Sequence, residues 1–298
     1  MRCIDFTNLP EKGKRYGGAG GKKRAVEYNG ALYMLKFPPP AENEDRYYCN
    51  SCFSEYIGCM VFKSIGIPVQ EVLLGTCADE GGKTYNVVAC KDFTAQNKEF
   101  ITFVDYKSTV AELSPEDYVP HLDDIYKTVK AQSFIEPNVI INRFWDMFIV
   151  DALLANWDRD NSNWGFLYDE RRNVMELAPV FDCGGCLYPA STDEYMKILL
   201  SDKRQRDKRI YEVPVSIIHD NDGRMNYFDF ISSLKNEDCN LALKRISERI
   251  DLDKIGAIID DITLLTDLQK QFYKTMIGER KKHIIDYSFH KLCQKERT

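Results

Sequence analysis

Three oxygen-bearing side chains between residues 158 and 182 have the types and spacing that phosphoryl transfer requires. Asp158 precedes Asn163 by five positions, and Asp182 precedes a cysteine and two glycines. Amide and carboxylate oxygens such as those of Asn163 and Asp182 suit Mg²⁺, which keeps the rest of its octahedron for phosphate oxygens and water. Asp158 is then free to orient an attacking hydroxyl or accept its proton. Taken singly, each is an ordinary turn residue.

Local patterns predict how these side chains meet. Apolar residues at helical spacing predict a buried helix over Ile141–Ala155, which ends just before the first loop. Two apolar segments, Trp164–Tyr168 and Val174–Val180, flank a polar connector and predict a hairpin. Because a hairpin returns the chain to its starting point, we expect Asn163 and Asp182 to lie close together.

A second group of residues near the N-terminus suits polyphosphate binding. The segment Tyr16–Gly21 reads Tyr-Gly-Gly-Ala-Gly-Gly. Such a loop brings backbone N–H groups against phosphate without obstruction by side chains, although glycine-rich segments are often only flexible. The apolar run Ala31–Phe37 predicts a strand with one cation, Lys36, near its end. The predicted phosphate-binding loop residues are Gly17, Gly18, Ala19, Gly20 and Gly21.

A glutamate on the next predicted helix offers Lys36 a partner. The segment Asn50–Ile65 places Glu55 on a largely apolar helix face. Carboxylates are rarely buried without a partner, so we predict an ion pair between Lys36 and Glu55. A strand lysine held by a helix glutamate aims its ammonium at nucleotide phosphates in kinases. The alternative is a solvated glutamate on an exposed face.

Several segments in order along the chain resemble the CtkA branch of the HipA-like protein kinases. The resemblance extends over nearly the whole chain, from Ile4 to Lys281. The segments that carry it are Tyr33-Met34-Leu35-Lys36-Phe37-Pro38-Pro39, Cys52-Phe53-Ser54-Glu55-Tyr56, Val88-Ala89-Cys90-Lys91-Asp92-Phe93, Phe144-Trp145-Asp146-Met147-Phe148 and Ala178-Pro179-Val180-Phe181-Asp182-Cys183-Gly184.

The resemblance implies an α+β, two-lobed kinase-like fold. The small β-rich N-lobe is expected over residues 1–93 and the mainly helical C-lobe over residues 94–298. It also implies transfer of the γ-phosphoryl group of ATP, with Mg²⁺, to Ser or Thr hydroxyls of a protein, including the kinase itself.

Carried over by position, the resemblance gives each site residue a role. Lys36 is the phosphate-binding lysine and Glu55 its helix partner. Asp158 is the catalytic-loop aspartate, and Asn163 and Asp182 are metal ligands. The hinge is expected over Val88–Lys91, where backbone groups of Ala89 and Cys90 pair with the adenine edge.

The catalytic loop departs from the family pattern at one position. Relatives have Asp-x-His-x-x-Asn, whereas this chain has Asp160 in place of the histidine. A carboxylate adds negative charge beside the transferring phosphoryl group, which predicts a slow enzyme or a module that only binds nucleotide. If the histidine only steadies the loop, Asp160 substitutes by accepting hydrogen bonds from backbone N–H groups or from Arg159. The residues 16–23 also contain no serine or threonine, so the phosphate-loop switch of toxin-type relatives does not transfer.

Composition favours an enzyme of the cytoplasm and disfavours other classes. The chain has 298 residues with 40 basic against 46 acidic side chains, which argues against a dedicated nucleic-acid binder. No apolar run approaches the roughly 20 residues of a membrane span, and the N-terminus does not resemble a signal peptide. We therefore expect ATP and a protein with a Ser or Thr acceptor as partners, and neither nucleic acid nor membrane insertion.

Two cysteine pairs have the spacing of zinc ligands. They are Cys49 with Cys52, and Cys183 with Cys186. The favoured interpretation is that they are free thiols that fill apolar space in a reducing compartment.

The remaining pattern is mainly helical. Helices are predicted over 240–250, 254–262 and 267–286, and a long connection over 183–211. The connection contains the run Lys203-Arg204-Gln205-Arg206-Asp207-Lys208-Arg209, which suits an acidic or phosphorylated peptide or is a solvated face. Three function classes therefore stand: a protein Ser/Thr kinase, a catalytically weakened nucleotide-binding module, and a lipid or small-molecule kinase.

Overall fold

The fold is described from a computed structural model of the chain. It describes residues 3–17, 21–39, 48–94, 98–111 and 119–297. Gly18, Ala19 and Gly20 of the predicted phosphate loop lie outside these residues.

The strands form one large sheet and two small ones. The large sheet has the order β1-β5-β6-β4-β3-β2, β7, β8 and β9 form a second sheet, and β10 and β11 form a third. The strands are β1 (Ile4–Asp5), β2 (Glu11–Lys12), β3 (Lys23–Tyr28), β4 (Ala31–Lys36), β5 (Val72–Ala78), β6 (Thr84–Lys91), β7 (Lys98–Thr102), β8 (Gly165–Asp169), β9 (Val174–Leu177), β10 (His219–Asp220) and β11 (Gly223–Arg224).

Most of the chain after β7 is helical. None of the helices in the described residues is long and apolar enough to span a membrane. The helices are α1 (Ser51–Ile65), α2 (Phe103–Ala111), α3 (Leu122–Ala131), α4 (Pro137–Leu154), α5 (Asp193–Ser201), α6 (Lys203–Tyr211), α7 (Tyr227–Ser233), α8 (Glu237–Ser247), α9 (Leu252–Asp260), α10 (Asp267–Arg280), a π-helical segment (Lys281–Asp286) and α11 (Tyr287–Lys295).

Alternation along β4 gives the large sheet two different faces. Tyr33 and Leu35 are buried in an outer apolar cluster, together with Val26 of β3. Met34 and Lys36 therefore point to the opposite face, against which α1 packs. The strand period thus turns Lys36 toward the interior beside α1.

Helix α4 leads directly into the loop that carries Asp158. It begins with Pro137, which tolerates the first helical position because its missing N–H needs no partner there. Trp145 and Phe148 lie in the main apolar core. The helix ends at Ala155, whose left-handed backbone (φ 53°) turns the chain directly into the loop that carries Asp158.

The predicted hairpin is confirmed as β8 and β9, paired from Phe166 opposite Leu177 to Asp169 opposite Val174. After β9 the chain continues to Val180, which bridges in parallel to Val69 at the entrance of β5. Asp182 follows two residues later, so the hairpin carries the chain from one loop to the other.

Two sequence predictions need correction. The stretch 183–211 is not one long connection, because it contains α5 and α6. The helix predicted over 267–286 keeps α-helical hydrogen bonds only to Arg280 and then passes through the π-helical segment into α11. The division into lobes at residues 93 and 94 stays a prediction.

Candidate active site

The predicted ion pair between β4 and α1 is present. The Nζ atom of Lys36, the last residue of β4, lies 2.9 Å from Glu55 Oε2. The Glu55 side chain is 2% exposed and that of Lys36 is 14% exposed. The carboxylate therefore holds the ammonium at the end of the sheet.

The same ammonium contacts the carboxylate predicted to bind metal. Lys36 Nζ also lies 2.9 Å from Asp182 Oδ1, and the Asp182 side chain is 41% exposed. The charge of Lys36 lowers the pKa of Asp182, and burial opposes this effect. Asp182 has a left-handed backbone (φ 55°), a conformation that costs energy for a residue with a Cβ.

Glu55 also fixes the backbone that follows Asp182. Its Oε1 accepts a hydrogen bond from the backbone N–H of Cys183 at 3.0 Å. Burial raises the pKa of Glu55, and Lys36 opposes this effect. One carboxylate thus couples the position of α1 to the position of the loop that carries Asp182.

Asp158 has the electrostatic setting of a general base. Burial raises its pKa to about 6, and the charges of Asp182 and Asp160 act in the same direction. Within the described residues its carboxylate accepts no hydrogen bond, whereas its backbone N–H donates to Asn156 Oδ1 at 3.2 Å. The carboxylate is thus positioned by its backbone and remains open to a hydroxyl group.

Asn163 lies against the same loop. Its Nδ2 donates to the backbone oxygen of Asp158 at 2.7 Å. This bond sets the orientation of the amide group and leaves Oδ1 for another partner. The structure therefore brings together Lys36, Glu55, Asp158, Asn163 and Asp182 as the sequence predicts.

Arg159 organises the site, and sequence reasoning gave it no such role. It is 5% exposed, and its Nε lies 3.0 Å from Asp151 Oδ2 near the end of α4. One terminal nitrogen donates to the backbone oxygens of Asn163 and Phe181. Arg159 therefore ties α4, the catalytic loop and the strand leading to Asp182 into one unit.

The Asp160 side chain accepts hydrogen bonds within its own turn and does not pair with Arg159. Its Oδ1 accepts from the backbone N–H of Ser162 at 2.7 Å and from the Ser162 hydroxyl at 2.6 Å. Of the two ways in which Asp160 was expected to steady the loop, the structure has the bond from a backbone N–H. Arg159 is engaged by Asp151 instead.

Of the predicted phosphate-binding loop, Gly17 and Gly21 are among the described residues. Gly21 has φ 73°, and a Cβ there would lie 2.9 Å from the backbone oxygen of Phe37. Gly17 offers its backbone oxygen to Lys23 Nζ at 2.6 Å. Glycine is therefore required at position 21 by both its conformation and the close approach of β4.

Lys23 is a second cation at this end of the sheet. It lies directly opposite Lys36 in the register of β3 and β4. Burial lowers its pKa, and the neighbouring charge of Lys36 adds to this effect, while Asp182 and Glu55 oppose it. The sequence signal was its position directly after the glycine-rich loop, but its register opposite Lys36 becomes visible only in the sheet.

The predicted hinge needs correction. Ala89 and Cys90 are fully buried in β6, which pairs with β4 on one side and β5 on the other. Their backbone groups are therefore engaged by the sheet and do not face a nucleobase. The chain leaves the sheet only after Lys91.

Asp92 anchors the N-terminal segment at this point. Its side chain is 2% exposed, and Oδ2 accepts from Lys14 Nζ at 2.5 Å and from the Tyr16 hydroxyl at 2.8 Å. The residue that enters the glycine-rich loop is thus held beside the end of β6. Nearby, the ring of Phe93 lies 5.5 Å from that of Phe181.

A cavity of about 600 Å³ adjoins the end of β6. Its lining includes Leu32, Gln70, Phe93, Lys98 and Pro179. It does not include the charged residues that contact Lys36. The cavity therefore lies beside the end of β6 and apart from the ion pairs of Lys36.

The second cysteine pair packs against α1. Cys183 and Cys186 lie against Cys59 and the small surface of Gly58, where a Cβ would approach Cys183 to 2.6 Å. No group of three or more His, Cys, Asp and Glu side chains in the described residues is placed to hold a metal ion. All four thiols of the two pairs are free.

Comparisons with known proteins identify the family of this chain. The family model of the HipA-like C-terminal domain matches residues 15–262. The serine/threonine-protein kinase CtkA of Helicobacter pylori strain J99 is 45% identical over 291 residues, which cover 96% of this chain and 87% of that protein.

Solved structures give the same relationship. The crystal structure of the H. pylori proinflammatory kinase CtkA superposes with a TM-score of 0.91 at 42% identity and covers 100% of both chains. HipA of the Shewanella oneidensis MR-1 toxin–antitoxin system, solved with HipB and operator DNA, has a TM-score of 0.59 at 15% identity over 93% of this chain and 67% of that one. The second likeness concerns the fold alone. On the family model and on its identity with CtkA, the chain belongs to the family of HipA-like C-terminal domain proteins and has their α+β, kinase-like fold.

Proposed function

We propose that this protein is a kinase that transfers the γ-phosphoryl group of ATP, with Mg²⁺, to Ser or Thr hydroxyls of proteins. The observation that carries the proposal is the position of Lys36 Nζ, 2.9 Å from both Glu55 and Asp182. A cation shared by a helix carboxylate and a metal-binding carboxylate is the arrangement that positions phosphates in kinases. The serine/threonine-protein kinase activity named for the relative CtkA supports the same reaction.

Asn163 and Asp182 are the residues that would hold Mg²⁺. The amide oxygen of Asn163 is left open by the bond of its Nδ2 to Asp158, and the Asp182 carboxylate is partly exposed. Few protein ligands are needed, because Mg²⁺ takes most of its oxygen ligands from phosphates and water. The metal supplies neutralisation of the charge that develops on the phosphate oxygens.

Lys36 and Lys23 would contact the phosphate groups from the sheet side. Both lie at the same end of β3 and β4, and Lys23 holds the backbone of Gly17 at the start of the glycine-rich loop. When a nucleotide enters, its phosphate oxygens compete with Asp182 for Lys36. The contact of Lys36 with Glu55 keeps the ammonium in place during this exchange.

The nucleobase would lie toward residues 92–94. The chain leaves the sheet here, and the cavity of about 600 Å³ adjoins Phe93. An aromatic ring and an apolar wall are typical of nucleobase sites. This assignment replaces the one expected from Ala89 and Cys90.

Asp158 would accept the proton of the attacking hydroxyl. Its carboxylate has no hydrogen-bond donor in the described residues, and its pKa of about 6 leaves it ionised at neutral pH. A base with a pKa just below the working pH is present in the correct form and is still basic enough to assist. Because the acceptor is a hydroxyl on a protein, the kinase itself is also an acceptor, and we include autophosphorylation in the proposal.

A second candidate function follows from Asp160. Its charge lies close enough to raise the pKa of Asp158, in a loop where relatives carry a histidine. The additional negative charge disfavours the approach of a phosphoryl group. A catalytically weakened module that binds nucleotide is therefore the alternative.

The test is incubation of the purified protein with γ-labelled ATP and Mg²⁺, with a generic protein acceptor. Label on the protein or the acceptor that is lost in Asp182→Ala would support the kinase. Absence of label in the parent together with transfer by Asp160→His would overturn it in favour of the weakened module. Thermal stabilisation by ATP and Mg²⁺ in both proteins would show that each is folded.

A further inference from the structure

Helix α6 concentrates positive charge in a chain that is acidic as a whole. Its nine residues contain five cationic side chains and one carboxylate, whereas the chain has a formal net charge of −6. The helix lies in the stretch 183–211, after the loop that carries Asp182. A segregated charge of this kind creates a local field that attracts the opposite charge.

Three of the five cations are engaged within the protein. Lys203 pairs with a carboxylate one turn along its own helix. Arg206 lies 3.5 Å from Glu279 and donates to two backbone oxygens at the end of α5. Arg209 donates to the Tyr195 hydroxyl at 2.7 Å. The contacts of Arg206 and Arg209 fasten the inner face of α6 to the domain.

The other two cations face the solvent together. Arg204 and Lys208 are exposed and one helical turn apart, and neither side chain has a hydrogen bond or ion pair with any described residue. Like charges at this spacing destabilise a helix. Arg204 also lies in the first turn, where the helix dipole disfavours a cation. Local stability therefore does not account for this pair.

Hydrogen bonds connect helix α6 to the segment after Asp182 and, through Arg280, to α4. The backbone oxygen of Arg209 accepts from the Tyr188 hydroxyl at 2.9 Å and from Arg280 at 2.6 Å. Tyr188 follows Asp182 by six residues, and the Nε of Arg280 donates to the backbone oxygen of Ala152 in α4 at 2.7 Å. A ligand held on the outer face of α6 is therefore held in a fixed relationship to the catalytic loop.

We propose that Arg204 and Lys208 form a docking surface for an acidic segment of the protein substrate. The inference rests on the proposed kinase function and gives its substrate class. Arg204 can bind a carboxylate with two parallel N–H donors, and Lys208 adds a point charge one turn away. Exposed pairs of this kind contribute modest affinity, but they set specificity and the rate of encounter.

The test measures binding without catalysis. A fluorescent peptide with one serine followed by a run of glutamates is titrated with the full chain in the absence of ATP, beside a peptide with glutamines in place of the glutamates. The variant is Arg204→Gln with Lys208→Gln. The matched control is Arg171→Gln with Arg172→Gln, which removes the same charge from the exposed β8–β9 turn.

We expect the α6 variant to weaken binding of the glutamate peptide about fivefold to tenfold and to lose the preference over the glutamine peptide, while the control changes it less than about twofold. Equal effects of the two double variants would overturn the docking surface. So would a loss of binding to an RNA oligonucleotide or to anionic vesicles with the peptide affinity unchanged.

A transfer assay with the same peptides separates this inference from the kinase proposal. Weaker binding by the α6 variant with no transfer by the parent protein would uphold the surface and reject the kinase. Transfer by the parent with kcat/KM equal for the two peptides would uphold the kinase and reject the surface.

Discussion

Lys36 and Asp182 form an ion pair, with 2.9 Å between Nζ and Oδ1. The lysine that would contact phosphate is thus paired with the carboxylate that would bind metal. Replacement of Lys36 by arginine keeps the charge that Glu55 requires but replaces a point charge with a larger planar group. We expect Lys36→Arg to fold and to lose phosphoryl transfer about a hundredfold or more.

The measurement for Lys36→Arg is kcat/KM for ATP, with circular dichroism as the check on folding. The matched control is Lys12→Arg, whose side chain is 45% exposed in an outer ion pair. Transfer by Lys36→Arg within a few-fold of the parent would contradict the role of Lys36 in phosphate binding.

The pH dependence of transfer should follow Asp158. Because a general base must be ionised, activity falls as the pH drops through the pKa of about 6. The charge of Asp160 contributes to this raised pKa, so its removal lowers the pKa and moves the acidic limb to lower pH. Asp160→Asn keeps an oxygen for the backbone N–H of Ser162 and is the appropriate substitution.

The measurement is the profile of kcat/KM between pH 5 and pH 8, a window of about 1–2 units on either side of the Asp158 pKa. Asp222→Asn, in the exposed β10–β11 turn, removes the same charge at a remote position and should leave the limb unchanged. An acidic limb that does not move in Asp160→Asn would argue against electrostatic coupling of the two carboxylates.

The residues that the sequence revealed are those whose partners are implied by local pattern. Glu55 on an apolar helix face required a cation, and Lys36 was the one cation in the neighbouring strand. Arg159 stayed hidden because its burial depends on Asp151, which the helix pattern of α4 gave no reason to single out. Burial of a charge is a property of the pair and not of either residue.

The hinge and helix α6 were misjudged for a related reason. The length of β6 is set by pairing with β4 and β5, so Ala89 and Cys90 belong to the sheet although the local sequence does not show where the sheet ends. In α6 Ile210 is the one fully buried residue, and the other inward contacts that hold the helix come from Arg206 and Arg209. A search for apolar periodicity overlooks such a face.

Gly185 should be required for the shape of the catalytic loop. A Cβ at this position would lie 3.0 Å from both Asn156 Oδ1 and the Cβ of Asp158. These atoms belong to a rigid network, so we expect Gly185→Ala to displace Asp158 and reduce kcat about tenfold or more. Gly278→Ala is the control, because nothing lies within 4 Å of its added Cβ and alanine favours the helix.

The Gly185→Ala prediction is checked by kcat with the thermal midpoint measured in parallel. The control should keep kcat and raise the midpoint. If Gly185→Ala kept the kcat of the parent, the loop would have space that the structure does not show.

We expect Arg159 to contribute to the free energy of unfolding through its ion pair with Asp151. Removal of the guanidinium leaves Asp151 buried without a cation, and such a loss destabilises proteins by about 3–5 kcal/mol. We expect Arg159→Met to lower the free energy of unfolding by an amount of this order, and the double variant Arg159→Met with Asp151→Asn to recover part of it. Denaturation by urea gives the free energy of unfolding of the parent, the two single variants and the double variant. If the effects of the two single substitutions simply added in the double variant, the pairing of Arg159 with Asp151 would be contradicted.

Lys23 offers a test that separates nucleotide binding from the chemical step. Its Nζ lies in the field of Lys36, Asp182 and Glu55, yet its hydrogen bond goes to the backbone of Gly17. We therefore expect Lys23 to contact the phosphate groups of ATP in both the ground state and the transition state. An interaction present in both states changes KM and leaves kcat nearly unchanged.

We thus expect Lys23→Gln to raise the KM for ATP about tenfold with kcat within about twofold of the parent. Lys22→Gln is the matched control. Lys22 is the neighbour of Lys23 in sequence, but it is exposed and points away from the Lys36 side of the strand. A fall in kcat at unchanged KM would mean that Lys23 contacts only the transferring phosphoryl group, and only in the transition state. Equal effects of the two substitutions would mean that only the net charge of the strand matters, and that the register opposite Lys36 has no functional part.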